Sequence, residues 1–152
     1  MPRNFAIDNE DQYKDFFNLV AGELLGQGIH RKVFECRLNP DYVIKCEQDH
    51  STFANVREWT IWDDCRWYKP VAQWLAPCID ISPNGLTLIQ RKVIPFREGD
   101  PMPEKVPGWM MDVKPQNFGW LVIDGERRPV LHDYTQQNTN LSKKLVTADW
   151  SF

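Results

Sequence analysis

Long apolar runs are missing from this sequence. No stretch of its 152 residues approaches the roughly 18 consecutive apolar residues that a membrane span requires, so no membrane association is expected. The opening residues Met1-Pro2-Arg3-Asn4-Phe5 have no h-region of the kind that marks a signal peptide, and a cytoplasmic location is the expectation. Charge of one sign is also scarce. The formal net charge is −3, which leaves no basic footprint for nucleic acid. The four cysteines, Cys36, Cys46, Cys65 and Cys78, form no C-x-x-C pair, and no histidine stands at zinc-finger spacing. Free buried thiols are the plain reading. A disulfide would need Cys36 and Cys46 to face each other across a hairpin, and a reducing cytosol opposes it. No internal repeat is present.

What the chain does have is enough apolar material for a core. The apolar fraction is 42%, with seven Trp and eight Phe, which suits one globular domain or two small lobes. Tyr13, Phe16, Phe17 and Val20 recur at helical spacing, predicting an amphipathic helix over Asp11–Ala21. Leu24–Leu38 reads as two strands around a glycine turn. Asn39-Pro40-Asp41 is a turn, and Tyr42–Cys46 is a β-rich third strand. A helix is predicted from Ser51, a suitable N-cap, to about Tyr68. Trp74–Ile81 and Leu86–Val93 read as strands joined by Ser82-Pro83-Asn84-Gly85. The connector carrying Pro95, Pro101, Pro103 and Pro107 cannot be one long helix, because each interior proline removes a donor and clashes with the preceding turn. Trp120–Ile123 and Pro129–His132 form a strand pair connected by residues 124–128, where Asp124-Gly125 is a hairpin signal. The tail after Tyr134 has weak periodicity.

The stretch with most chemistry in it is Asp112-Val113-Lys114-Pro115-Gln116-Asn117, a D-x-K-x-x-N run. The aspartate can accept the proton of an attacking hydroxyl, the lysine can neutralise a transferring phosphoryl group, and the asparagine can hold a metal ion. Four further features precede or follow it in order. Gly26 and Gly28 lie in the first turn and would let backbone N–H groups approach phosphates. Lys45 ends the third strand. Glu58 lies near the middle of the following helix, where it can pair with Lys45. Asp133 follows the last strand pair. Each has a plain alternative: an ordinary turn, a surface lysine, a solvated helix charge, a turn carboxylate. Their joint order is the informative feature.

From about Gly22 to Tyr134 the sequence resembles the protein-kinase-like superfamily, in the form of a truncated, minimal Ser/Thr-kinase-like protein. The resemblance implies an α+β fold. Residues 1–93 would form an antiparallel-sheet N-lobe with one main helix, and residues 94–152 a much reduced C-lobe with the catalytic loop and a metal-binding strand pair. It implies ATP and Mg²⁺ as cofactors. Asp112 would be the base and Lys114 the charge stabiliser. Lys45, held by Glu58, would position the phosphates beside Gly26 and Gly28. Arg91, Lys92 and Val93 would be the adenine-reading hinge, and Asn117 with Asp133 would be the metal ligands. An apolar stack of Trp62, Met110 and Tyr134 would support the site.

The chain departs from that family in several places. Arg31 stands where the third glycine of the loop belongs. Met110-Met111 replaces His-Arg, which removes the usual anchor for a phosphorylated activation loop. Phe118-Gly119 stands where two aliphatic residues form the floor under adenine. There is no A-P-E and no room for a peptide-docking helical lobe. Such a stripped-down protein would suit a compact genome such as a phage's. The bare underside of the loop would call for a homodimer or a larger partner. Three functions are therefore in view: an ATP- and Mg²⁺-dependent phosphotransferase acting on a protein, a kinase-like (pseudokinase) protein that binds and modulates a host or partner protein, and a small-molecule kinase. The last has little sequence from which to build a substrate pocket.

Overall fold

A computed structural model describes residues 17–48, 52–135 and 144–151. Most of the predicted N-terminal helix, the Ser51 cap and residues 136–143 of the tail lie outside them. Within them residues 17–20 are helical. The chain is α+β, with antiparallel sheets and few helices. No helix among the described residues is long and apolar enough to cross a membrane.

The larger sheet has five strands in the order β1-β2-β3-β5-β4. They are β1 (Ala21–Gln27), β2 (Arg31–Cys36), β3 (Tyr42–Glu47), β4 (Cys78–Ile81) and β5 (Thr87–Arg91). The β2–β3 turn closes because Asn39 Oδ1 accepts the Asp41 N–H at 2.9 Å, an Asx-turn that frees the chain to reverse. β3 is central, and its Val43 and Ile44 are buried, as β-branched residues on a doubly covered strand should be. Both predicted strands after the helix are shorter than expected. Gln73 and Trp74 form a turn following a four-residue helix, Leu75 makes an isolated parallel bridge to Leu131, and the strand proper starts only after Pro77.

Helix α1 (Ala54–Cys65) lies between β3 and β4, followed by α2 (Lys69–Ala72). The first turn of α1 is not capped by its own neighbour. Phe53 occupies the N-cap position in the left-handed region (φ 53°) without a side-chain cap. The Glu47 carboxylate, at the end of β3, accepts the Ala54 N–H at 2.9 Å, the Asn55 N–H at 3.1 Å and the Thr52 hydroxyl at 2.8 Å. A strand residue thus supplies the anion and the acceptors that a helix N-terminus needs.

The second half is built from β6 (Ile94–Pro95), β8 (Phe118–Ile123) and β9 (Glu126–Leu131), with β7 (Lys105–Pro107) paired to β10 (Leu145–Thr147). The proline-rich connector runs as short strands and turns. The β8–β9 hairpin is tighter than the sequence suggests. Only Asp124 (φ 52°) and Gly125 (φ 79°) form its loop, and Ile123 pairs directly with Glu126. Two successive positive φ angles fit a type I′ turn, so Arg127 and Arg128 continue the strand rather than connect it.

One buried cluster takes residues from both sides of residue 93. It contains Leu75, Cys78 and Leu88 together with Phe96, Met110, Phe118, Leu131 and Tyr134. Each fully buried leucine contributes roughly 1.5–3 kcal/mol by leaving water. The two halves are also stitched by backbone. The Ala76 N–H donates to the Leu131 carbonyl at 2.7 Å, and the Leu131 N–H to the Trp74 carbonyl at 2.8 Å. The tail, whose periodicity is weak, closes this half. Trp150 donates to the Pro103 carbonyl at 2.7 Å and sets its ring edge-on to Phe118 at 4.8 Å. The C-terminal segment thus packs on Phe118, the residue that follows Asn117. The tryptophans serve mainly this core; Trp67 alone is largely exposed, at 82%.

Candidate functional site

Lys45 projects from β3 and Glu58 from α1, and they meet at 2.6 Å (Nζ to Oε1) with both side chains buried. Chain order alone anticipates this pair. Three neighbours hold it. Lys45 Nζ donates to the His132 carbonyl. The buried Gln90 on β5 donates through Nε2 to the same Glu58 oxygen at 2.9 Å. Asn55, one turn before Glu58, donates to the Lys45 carbonyl at 3.1 Å.

Arg31 is the unexpected member. Its Nη1 lies 2.5 Å from Glu58 Oε2 and 3.2 Å from Asn55 Oδ1, and its Nη2 lies 3.0 Å from Asp133 Oδ1. Asp133 is thereby brought to the Lys45–Glu58 pair, across more than a hundred residues of sequence, by the residue that stands in place of a loop glycine. Burial works against the Arg31 charge, but Glu58 and Asp133 outweigh it and hold its pKa above the ordinary value. Burial alone would raise the Glu58 pKa. Lys45 and Arg31 reverse that and keep its carboxyl below the usual range. Lys45 is pulled down, first by burial, with the Arg31 charge adding to it against the attraction of Glu58. A carboxylate shared by two cations stays ionised.

The D-x-K-x-x-N loop closes on itself. Asn117, in a 3₁₀ turn (Pro115–Asn117), donates through Nδ2 to the Asp112 carbonyl at 2.8 Å and to Asp112 Oδ2 at 3.0 Å. Lys114 Nζ lies 3.1 Å from the same oxygen. Asp112 holds φ 54°, a region costly for most residues and entered more readily by aspartate. The loop joins the ion cluster through one residue. The His132 N–H donates to the Asn117 carbonyl at 2.9 Å, while its own carbonyl accepts from Lys45.

The other predicted residues are Gly26, Gly28, Arg91, Lys92 and Val93. Gly26 and Gly28 are exposed in and after β1. A Cβ at Gly26 would meet nothing within 4 Å, and one at Gly28 only the Arg31 carbonyl at 3.9 Å. Neither packing nor a positive φ demands these two glycines. The side chains of Arg91 and Lys92 turn outward. Arg91 reaches the Val122 carbonyl at 3.4 Å, and Lys92 lies 3.4 Å from Glu35. Val93 faces Gly119 closely enough that a Cβ there would come within 2.8 Å of the Val93 Cβ.

Tyr134 is buried, donating its hydroxyl to the Ala76 carbonyl at 2.7 Å and lying 3.1 Å from Cys78 Sγ. It shares the main core cluster with Met110, and Trp62 packs against that cluster. All four cysteines are free. Cys46 pairs with Lys32 and Cys36 with Ala21, so the two do not face each other across the hairpin. Burial pushes the Cys46 and Cys78 thiols up to about 12, which makes them poor nucleophiles.

Magnesium is implied by the resemblance at Asn117 and Asp133. Asn117 spends its amide nitrogen on Asp112, which leaves its Oδ1 as a potential ligand. Asp133 Oδ1, however, is already ion-paired with a guanidinium at 3.0 Å. A divalent ion on that oxygen would sit against a permanent positive charge, and one on the exposed Asp133 Oδ2 would still lie beside the same guanidinium, so as arranged these residues fit the metal poorly. Sequence reasoning passed over Arg31, Asn55, Gln90 and Glu47. The signal for Arg31 was its place as the departure from the glycine pattern. Comparisons with protein-family models and with curated proteins return no match to this chain.

Proposed function

We propose that this protein is a nucleotide-dependent phosphotransferase, built as a minimal protein-kinase-like fold and acting on a protein hydroxyl. One observation carries the reading: a continuous run of contacts from Asp112 through Asn117 and His132 to the buried Lys45–Glu58 pair. An amine held by a carboxylate beside a proton acceptor with its own lysine is what transfer of a phosphoryl group needs.

In the reaction, the acceptor oxygen forms a bond to the terminal phosphorus of the nucleotide. The bond from that phosphorus to the bridging oxygen breaks, and the diphosphate leaves with the electron pair. The hydroxyl proton passes to Asp112. Asp112 Oδ2 is engaged by Asn117 and Lys114, so Oδ1 is the oxygen available for that proton. Lys114 offsets charge gathering on the transferring group, and Lys45 holds the non-transferring phosphates.

Labelled-phosphate transfer to a mixed protein acceptor or to the chain itself tests this. Loss of a positioned base should lower transfer by about 10²–10⁴-fold in Asp112→Ala. Equal transfer by wild type and variant would refute the reading. A second reading gains from the Arg31–Asp133 contact, which occupies a candidate metal ligand. In it the protein binds and modulates a partner protein without catalysis. Effects on a partner would then survive Asp112→Ala.

A further inference from the structure

The four charges at the centre of the site balance. Lys45 and Arg31 are positive, and Glu58 and Asp133 negative. Without Arg31, the cluster would carry one net negative charge, and an incoming polyphosphate would add more. That deficit is what a divalent ion ordinarily covers in phosphoryl-transfer sites. Here a guanidinium already covers it.

Arg31 is also built into its place. Its side chain is only 10% exposed. Asn55 is fully buried, accepts from Arg31 Nη1, and is itself fixed through its backbone N–H by Glu47 and through its amide to the Lys45 carbonyl. The Asp133 side chain, on the other flank, is 47% exposed, so the cluster opens to solvent on the Asp133 side. Three of the guanidinium's five N–H groups are committed: two on Nη1 and one on Nη2. Among the described residues, Nε and the second Nη2 proton keep no protein acceptor. Arg31 directly follows the Gly26–Gly28 turn, whose Gly28 N–H donates to the Arg31 carbonyl at 2.8 Å. The turn is therefore closed on the backbone of the residue that carries the guanidinium.

We infer that Arg31 is the resident cation of this site, standing where a divalent metal would otherwise bridge Asp133 to the nucleotide, so that polyphosphate binding here needs no divalent metal. The inference rests on the nucleotide reading above and deepens it. Arginine suits the role because its charge is permanent and its planar fork engages carboxylate and phosphate oxygens together. Lysine at the same place would supply a point charge and could not bridge Glu58, Asn55 and Asp133 at once.

The test is titration of the full chain with a fluorescent ATP analogue, and with ATP by calorimetry, in excess EDTA and in millimolar Mg²⁺. Wild type should bind with affinities within about threefold of each other in the two buffers. Arg31→Ala should lose at least tenfold in EDTA and recover when Mg²⁺ is added. Arg31→Lys should fall between them. Manganese provides a readout independent of activity: relative to Mn²⁺ with ATP alone, which already binds the ion, the Mn²⁺ electron paramagnetic resonance signal should change further on adding Arg31→Ala and should not change further on adding wild type. Circular dichroism checks that the variants are folded. Wild-type binding that requires Mg²⁺, or Arg31→Ala binding equal to wild type in EDTA, would overturn the inference and leave the nucleotide reading standing. No wild-type binding in either buffer would overturn both.

Discussion

Glu58 divides its two carboxylate oxygens between two cations: Oε1 lies 2.6 Å from Lys45 Nζ, and Oε2 lies 2.5 Å from Arg31 Nη1. One helix residue thereby fastens α1 to β3, to the start of β2 and, through Arg31, to Asp133. The two partners are not equivalent to Glu58 itself. Removing the anion leaves Lys45 buried with no carboxylate beside it and Arg31 with Asp133 alone, whereas removing one cation leaves the anion with the other.

That asymmetry predicts an order of stability. Glu58→Ala should destabilise the chain by about 3–5 kcal/mol, the usual cost of breaking a buried pair from one side. Lys45→Ala should cost less, because Glu58 keeps Arg31. Urea unfolding followed by tryptophan fluorescence gives both values. Equal costs would show that the shared carboxylate does not organise the cluster.

Glu47 should behave as a helix cap although it lies in a strand. Its carboxylate accepts two backbone N–H groups of the first turn of α1. Glu47→Ala should cost about 1–2 kcal/mol, and Glu47→Gln less, since the amide oxygen still accepts. Amide exchange of Ala54 and Asn55 should accelerate in Glu47→Ala ahead of the rest of the helix.

Gly119 should tolerate no side chain while Val93 is present. A Cβ would stand 2.8 Å from Val93 Cβ and 2.9 Å from the Ile94 carbonyl, and overpacking of this kind costs about 1–3 kcal/mol. Gly119→Ala should be destabilised and should be partly rescued by Val93→Ala. A double-mutant cycle measures the coupling; Val93→Ala removes only the nearest contact, with Val93 Cγ2, so the Val93 Cβ and the Ile94 carbonyl set what the rescue cannot recover.

His132 sets a pH dependence. Burial, and then the Lys45 charge, hold its pKa down at about 4. Below about pH 6.5 the unfolded chain binds a proton that the folded chain refuses. Stability therefore falls as pH drops from about 6.5 to about 4, by up to about 3 kcal/mol. His132→Gln should flatten the upper part of that slope, between about pH 6.5 and 5, where ordinary carboxylates do not yet titrate. Chemical unfolding across this range measures it.

Much of the local structure was legible. Asn39-Pro40-Asp41 and Asp124-Gly125 each announced a reversal, because their side chains or φ angles suit one. Tyr42–Cys46 announced a strand through its β-branched residues. The chain order of Lys45, Glu58, Asp112, Asn117 and Asp133 marked the elements that would have to meet. The strand content of residues 105–107 and 145–147 was not legible. Those segments are too short to show a period, and each is a strand only because the other lies beside it. The helix start at Ala54 was hidden for a related reason: its cap comes from β3 rather than from the preceding residues.

The amino-acid sequence by itself determined the α+β composition and the hairpin turns, since these follow from periodicity and φ preferences within a few residues. Only the tertiary structure decided the partnership of Arg31. As a string, Arg31 is a lost glycine at the end of an exposed turn. In the fold, strand pairing carries it to Glu58 and Asn55 on one side and Asp133 on the other. Its charge then has meaning only through the two carboxylates it neutralises, because the strength of an ion pair depends on distance and burial, and neither is a property of sequence.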